Sequence, residues 1–200
     1  MIAIIDYGVG NLGSVKNAFK YLGMEAIVTS DKEVILKAEK VILPGVGAFS
    51  DAMESFIRQG FDGVITRLIE NNTPILGICV GMQMLFEYSY EYGKHKGLGI
   101  LPGNIIKFDD SKCKVPHMGW NEIKVVKNNP LLDGVDGAYV YFVHSYHLDN
   151  SPGYEIAISN YGDVSFPCAV NKGNLYGVQF HPEKSGEVGL KILKNFGDLL

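Results

Sequence analysis

Seven residues near the middle of the chain, Gly77-Ile78-Cys79-Val80-Gly81-Met82-Gln83, force a sharp corner on whatever fold contains them. Before them, Thr73-Pro74-Ile75-Leu76-Gly77-Ile78 reads as a short buried strand, and Met82-Gln83-Met84-Leu85-Phe86-Glu87 after them has helix composition. A strand that becomes a helix within two residues crowds the side chain at the turn. Glycines two positions to either side relieve that crowding, as at the nucleophile elbow of hydrolases. The corner residue is Cys79, which this reading leaves exposed at the top of a sheet. At a helix N-terminus it meets backbone N–H groups with no partner inside the helix, and these favour the reactive thiolate. The competing reading is a small buried hydrophobe, the usual fate of a free cysteine.

Two further segments shift the balance toward chemistry. Gln179-Phe180-His181-Pro182-Glu183 follows the strand-like Leu175-Tyr176-Gly177-Val178. His181 can take a thiol proton and later protonate a leaving group, while Glu183 can fix its tautomer and stabilise the imidazolium. Pro182 stops the strand, so both side chains are presented from a loop. Val41-Ile42-Leu43-Pro44-Gly45-Val46-Gly47-Ala48-Phe49 reads as a buried strand breaking into a glycine-rich loop ahead of an amphipathic helix. An N–H from Gly45 or Val46, with that of Val80, can form an oxyanion hole. Taken singly, these segments read as a surface turn and as a βα turn that needs glycine for its dihedrals.

In this order the three motifs resemble the class I (triad) glutamine amidotransferases, which carry G-x-C-x-G, a P-G-x-G loop and a downstream H-P-E. Three more segments are similar to one branch of that family, the glutaminase subunits that serve histidine biosynthesis: Asp6-Tyr7-Gly8-Val9-Gly10-Asn11-Leu12-Gly13-Ser14, Lys114-Val115-Pro116-His117-Met118-Gly119-Trp120-Asn121 and Tyr141-Phe142-Val143-His144-Ser145-Tyr146. The resemblance runs from the first strand to the last helix. It implies Cys79, His181 and Glu183 as catalytic residues and Gly47, Gln83 and Ser145 as substrate contacts, Ser145 standing where threonine is also familiar. It places Asn11, Trp120, Lys184 and, with Trp120, His117 toward a partner. The implied reaction is hydrolysis of glutamine through a γ-glutamyl thioester, without metal or cofactor. The ammonia passes to a separate (β/α)₈ cyclase subunit in a heterodimer. A loop Gly45-Val46-Gly47 that must rotate a peptide to complete the oxyanion hole would keep the lone subunit quiet. A glutaminase serving another synthase, such as one that aminates a sugar, carries the same triad; a catalytically idle regulatory module is the alternative from a different class.

A rival pattern is Gly8-x-Gly10-x-x-Gly13, which follows a strand, opens a helix and is trailed by Asp31 after a second strand, the dinucleotide fingerprint. Against it, Asp6-Tyr7 intervenes before the first glycine, an acid sits where a pyrophosphate would approach, and the Cys79, His181 and Glu183 set goes unused.

Two hundred residues, 46% of them hydrophobic and undivided by any linker, make one domain over 1–200. A net charge of −4 with scattered lysines leaves no basic face for nucleic acid. Cys79, Cys113 and Cys168 form no C-x-x-C, and Asp6 cuts short the apolar Met1-Ile2-Ala3-Ile4-Ile5, so a reducing cytoplasm is expected. No apolar segment approaches a membrane span. Strands at 2–5, 25–29 and 40–43 alternate with helices at 14–22, 51–59 and 61–70 ahead of the corner. That order predicts an α/β fold, an open, largely parallel twisted sheet with helices on both faces. After Gly97, strands at 121–126, 138–148 and 154–159 and a hairpin closed by Asn171-Lys172-Gly173-Asn174 predict antiparallel additions in the C-terminal half. Val188, Ile192, Leu193 and Phe196 recur at helical spacing and predict a closing amphipathic helix. His144 and His147, three apart in a strand-like run, are expected on opposite faces, which argues against joint metal binding. His95 reads as solvated loop, and Cys113 and Cys168 as bystanders.

Overall fold

The computed structural model describes residues 1–149 and 153–199. Its first half runs β1 (Ile2–Ile5), α1 (Leu12–Tyr21), β2 (Ala26–Thr29), α2 (Lys32–Leu36), β3 (Lys40–Leu43), α3 (Phe49–Arg58), α4 (Phe61–Glu70), β4 (Ile75–Ile78) and α5 (Val80–Gln83). Short strands follow: β5 (Tyr88–Ser89), β6 (His95–Lys96), β7 (Asn104–Lys107), β8 (His117–Glu122), β9 (Lys124–Val125), β10 (Tyr139–His144) and β11 (Tyr146–Leu148). The chain closes with β12 (Glu155–Tyr161), β13 (Val164–Lys172), β14 (Leu175–Val178) and α6 (Gly186–Gly197).

One sheet of order β2-β1-β3-β4-β14-β13-β12-β9 carries the fold. Pairing is parallel from β2 through β14 and antiparallel beyond it. Every residue of β1 and β4 is buried, as a parallel sheet covered on both faces requires. The covering helices form two groups, α1 touching α6, and α4 touching both α2 and α3. In α3 the buried set Phe49, Ala52, Met53 and Phe56 follows the i, i+3, i+4, i+7 stripe, and α6 buries Ile192, Leu193 and Phe196 the same way. The expected fold class stands. Among the described residues no helix is long and apolar enough to cross a membrane.

Three local expectations do not survive. The helix after the corner stops at Gln83 instead of running to Glu87. The N–H groups that would continue it turn elsewhere: those of Leu85 and Phe86 reach only three residues back, to Met82 O and Gln83 O, and that of Glu87 donates to Gly103 O. The strand expected over 138–148 breaks at Ser145 into β10, which pairs with β8, and β11, which pairs with β7. The break brings His144 and His147 onto the same rings, Phe108 and Phe166, rather than opposite faces. The strand expected at 121–126 is divided between the end of β8 and β9. Helix α2 went unread, although Asp31 is its N-cap and accepts from the N–H groups of Glu33 and Val34.

Candidate active site

The parallel register of β14 on β4 pairs Val178 with Ile78, so the residues that follow, Gln179 and Cys79, emerge side by side at one edge of the sheet. The Cys79 N–H still donates to Val178 O at 2.8 Å. Beyond that bond the chain turns with Cys79 at φ 53° and ψ −111°, a sparsely populated conformation that costs ~1–3 kcal/mol for a residue with a side chain. The flanking glycines are sterically required. A Cβ on Gly77 would lie 2.8 Å from Gly81 O and Met82 N, and one on Gly81 would overlap the carbonyl oxygen of Leu43.

Contrary to the expectation of an exposed sulfur, Cys79 is only 5% exposed. It opens onto a cavity of about 260 Å³ whose wall includes Val46, Gly47 and Val143 to Tyr146. Those two segments share the cavity wall with Cys79, so the thiol faces a partly open pocket. The cavity wall also contains Val80, Gln83, Ser145, His181 and Lys184.

His181 leaves β14 and donates its backbone N–H to Tyr141 O at 2.9 Å, while its carbonyl accepts from Ser185 Oγ at 2.6 Å. Pro182 then opens a single 3-10 turn, Pro182–Lys184, that brings Glu183 back to the imidazole. His181 Nδ1 lies 2.8 Å from Glu183 Oε1, with both side chains almost wholly buried. A carboxylate only accepts, so Nδ1 carries the proton and Nε2 is the nitrogen left for Cys79. Burial alone would depress the imidazole. Hydrogen bonds to Cys79 and Glu183 and the negative charge of both outweigh it and hold His181 up at about 9. Glu183 Oε2 is buried with no hydrogen-bond partner among the described residues, and Asn11 Nδ2 approaches Oε1 at 3.5 Å.

The glycine loop lies directly against the corner. A Cβ on Gly45 would come within 2.5 Å of Gly81 N and 2.9 Å of Val80 Cβ, and Gly47 adopts φ +82°. Gly45 thus packs behind Val80, while Val46, Gly47 and Val80 reach the cavity itself. Lys184 lies 5.9 Å from the Tyr141 ring, and Trp120, 56% exposed, touches the same ring at 6.3 Å. Asn11, Trp120 and Lys184 therefore gather around the turn that holds Glu183. His117, by contrast, is buried, stacked on Phe142 and Tyr161, and burial pushes it down to about 4, so it is a neutral core ring rather than a surface group.

Three residues beside the site escaped the sequence reading. Tyr7 is fully buried and donates to Pro44 O at 2.7 Å, tying the loop after β1 to the glycine loop. Glu91 Oε2 accepts from Phe49 N at 2.6 Å, closing the N-terminus of α3 from across the cavity. Gln179 Nε2 lies 3.7 Å from Cys79 Sγ. The tyrosine and Gln179 stand inside motifs already singled out; Glu91 sits in an irregular loop that carries no pattern. The dinucleotide reading fails on local bonding, because the Gly8 N–H is spent on Asp6 Oδ1 and Asp31 caps α2.

The family model described as glutamine amidotransferase class-I matches residues 3–199. A protein named imidazole glycerol phosphate synthase subunit HisH from Caldanaerobacter subterraneus is 50% identical, covering 100% of this chain and 98% of its own. Proteins of the same name from Bacillus cereus and Listeria monocytogenes are 54% and 45% identical, covering 98% and 100% of this chain and 93% and 96% of theirs. Among solved structures, one titled a glutamine amidotransferase superposes with a TM-score of 0.76 at 20% identity, over 98% of this chain and 100% of that one. PurLQS from Thermotoga maritima superposes at 0.75 and 20% identity, over 98% and 96%. These two likenesses speak to the fold.

Proposed function

The chain belongs to the class-I glutamine amidotransferase family, and from that premise we propose that it is the glutaminase subunit of an imidazole glycerol phosphate synthase. It hydrolyses glutamine to glutamate and ammonia, and the ammonia is consumed by a (β/α)₈ cyclase subunit in histidine biosynthesis. One observation carries this reading: His181, its Nδ1 held 2.8 Å from Glu183 Oε1, shares the wall of one cavity with Cys79, and the charge of Cys79 helps to keep its imidazole protonated.

The chemistry follows from that arrangement. The Cys79 thiolate attacks the side-chain carboxamide carbon of glutamine, a C–S bond forms, and the carbonyl electrons move to oxygen. The N–H of Val80 and one from Gly45 or Val46 receive that charge, an interaction worth ~3 kcal/mol per donor in such sites. His181 Nε2–H passes its proton to the amide nitrogen, ammonia leaves, and the γ-glutamyl thioester remains. Water then attacks the thioester while His181 takes its proton, and the sulfur departs with its electron pair. Glu183 keeps Nδ1 protonated throughout. Gly47, Gln83 and Ser145 hold the substrate from the cavity wall. Asn11, Trp120 and Lys184 face the cyclase, one turn away from Glu183. Residues 1–200 act as one domain, and three free cysteines suit a reducing cytoplasm.

The test is reconstitution. Mixed with the cyclase subunit, glutamine and the phosphoribulosyl aminoimidazole carboxamide nucleotide, the chain should release glutamate in step with consumption of the nucleotide. Glutamate release that ignores this nucleotide but answers to a different acceptor would assign the chain to another synthase.

A further inference from the structure

Gln179 is wholly buried beside the nucleophile, and neither the family resemblance nor the mechanism above gives it a task. Its orientation can be derived from one backbone atom. The carbonyl oxygen of Tyr146 can only accept, and it lies 2.8 Å from His144 Nδ1 and 3.1 Å from Gln83 Nε2, so both nitrogens carry hydrogen. Gln83 Nε2 also lies 3.0 Å from the nearer amide atom of Gln179, which must therefore be the oxygen. The amide nitrogen of Gln179 is thereby turned to the Cys79 sulfur. The same carbonyl fixes the other direction. His144 Nε2 is left as an acceptor, His117 Nδ1 donates to it at 2.9 Å, and Asn121 Nδ2 donates to His117 Nε2 at 3.2 Å. From β8 to Cys79 every polar atom in the line has one assignment.

We propose that Gln179 is a catalytic residue of this site, donating an amide N–H to the sulfur of Cys79 and holding the thiolate beside His181. The inference rests on Cys79 being the nucleophile. A donor to a charged sulfur is stronger than one to a neutral thiol or thioester. The bond therefore acts twice, favouring the thiolate before attack and meeting the electron pair that returns to sulfur when the C–S bond breaks. Gln83 and Tyr146 act through Gln179 as positioning residues. The other ionisable groups around this sulfur are His181, with Glu183 behind it, Tyr7 from the loop after β1, and Glu91, His144, Tyr146 and Lys184 on the cavity wall, His144 being kept neutral by burial. Burial, then the charge of Cys79, pushes the Tyr7 phenol far above its ordinary range, so it stays neutral. His181 is the cationic group on the same cavity wall, and Gln179 is the neutral donor to the sulfur.

The test measures alkylation of Cys79 by iodoacetamide from pH 5 to 10 in the full chain, scored by peptide mass, with circular dichroism confirming each fold. In Gln179→Leu the midpoint of the rate profile should rise by about one pH unit, a tenfold loss of reactivity on its acidic side. Gln179→Glu should raise it further by setting a negative charge against the sulfur. Gln83→Met, which frees Gln179 to rotate, should shift it the same way by less, and carries the test if Gln179→Leu does not fold. Variants that fold and keep the wild-type midpoint would overturn the proposal. Wild-type Cys79 reacting like a free cysteine peptide would instead remove the nucleophile on which it depends.

Discussion

Gly45 and Gly81 are packed backbone against backbone, so closely that a Cβ on Gly45 would lie 2.5 Å from the Gly81 nitrogen. The glycine loop and the Cys79 corner are thus in direct contact, with no space for a side chain between them. Gly45→Ala should push the loop off the corner, cost about 1–3 kcal/mol of stability and reduce glutamate release by about a hundredfold or more. Thermal unfolding alongside a glutaminase assay measures both; an alanine variant with wild-type turnover would mean the loop donates nothing to the reaction.

Cys79→Ala separates the two halves of the proposed synthase. Glutamine-dependent product formation by the complex should disappear while synthesis from added ammonium is retained, because the acceptor chemistry lies on the other subunit. Parallel loss of both would show that this chain supplies more than ammonia.

The sign of the pH dependence is set by His181. Its ordinary value of 6.5 is raised to about 9 in the folded chain, so folding binds a proton more tightly there than the unfolded chain does. The resulting stabilisation, roughly 3 kcal/mol, is complete below pH 6.5 and fades as pH rises through about 9. Urea unfolding at pH 6.5 and pH 9.5 should show the wild type losing stability across this window relative to His181→Gln. A wild-type decline no steeper than that of His181→Gln would contradict the ion pair.

Glu183→Gln keeps the shape of the side chain but removes the charge that favours imidazolium. Glutamate release should fall by about 10²–10⁴. The stability difference between pH 6.5 and pH 9.5 should also shrink, since one of the groups raising His181 is lost. A loss of activity with an unchanged pH dependence of stability would place Glu183 outside the titration.

The parts of this molecule that are legible in sequence are those set by local rules. Glycines at 77 and 81 announce the corner because no other residue leaves the backbone room. The apolar runs of β1 and β4 announce a sheet covered on both faces. What escapes is decided by distant segments. Nothing in Met84–Glu87 itself stops a helix; Gly103 does so by accepting the Glu87 N–H, and Gly97–Leu101 pairs with the carbonyls left over. The shared surroundings of His144 and His147 depend on Ser145 dividing one apparent strand between two sheets. Gln179 carries no signal of its own within its motif, because its orientation follows from the Tyr146 carbonyl brought in from β11. Helix α2 is the exception: Asp31 is an ordinary capping signal that competed with a more famous reading.

The pairing of Val178 with Ile78 has a consequence for how such a chain can diverge. Cys79 and His181 are brought to one cavity because two neighbouring strands end level with each other, and of the hundred-odd positions threaded between them only a few, β14 itself and Tyr141 among them, fix the endpoints. Apart from those few contacts, the excursion is free to lengthen, shorten or be rewritten for a new collaborator.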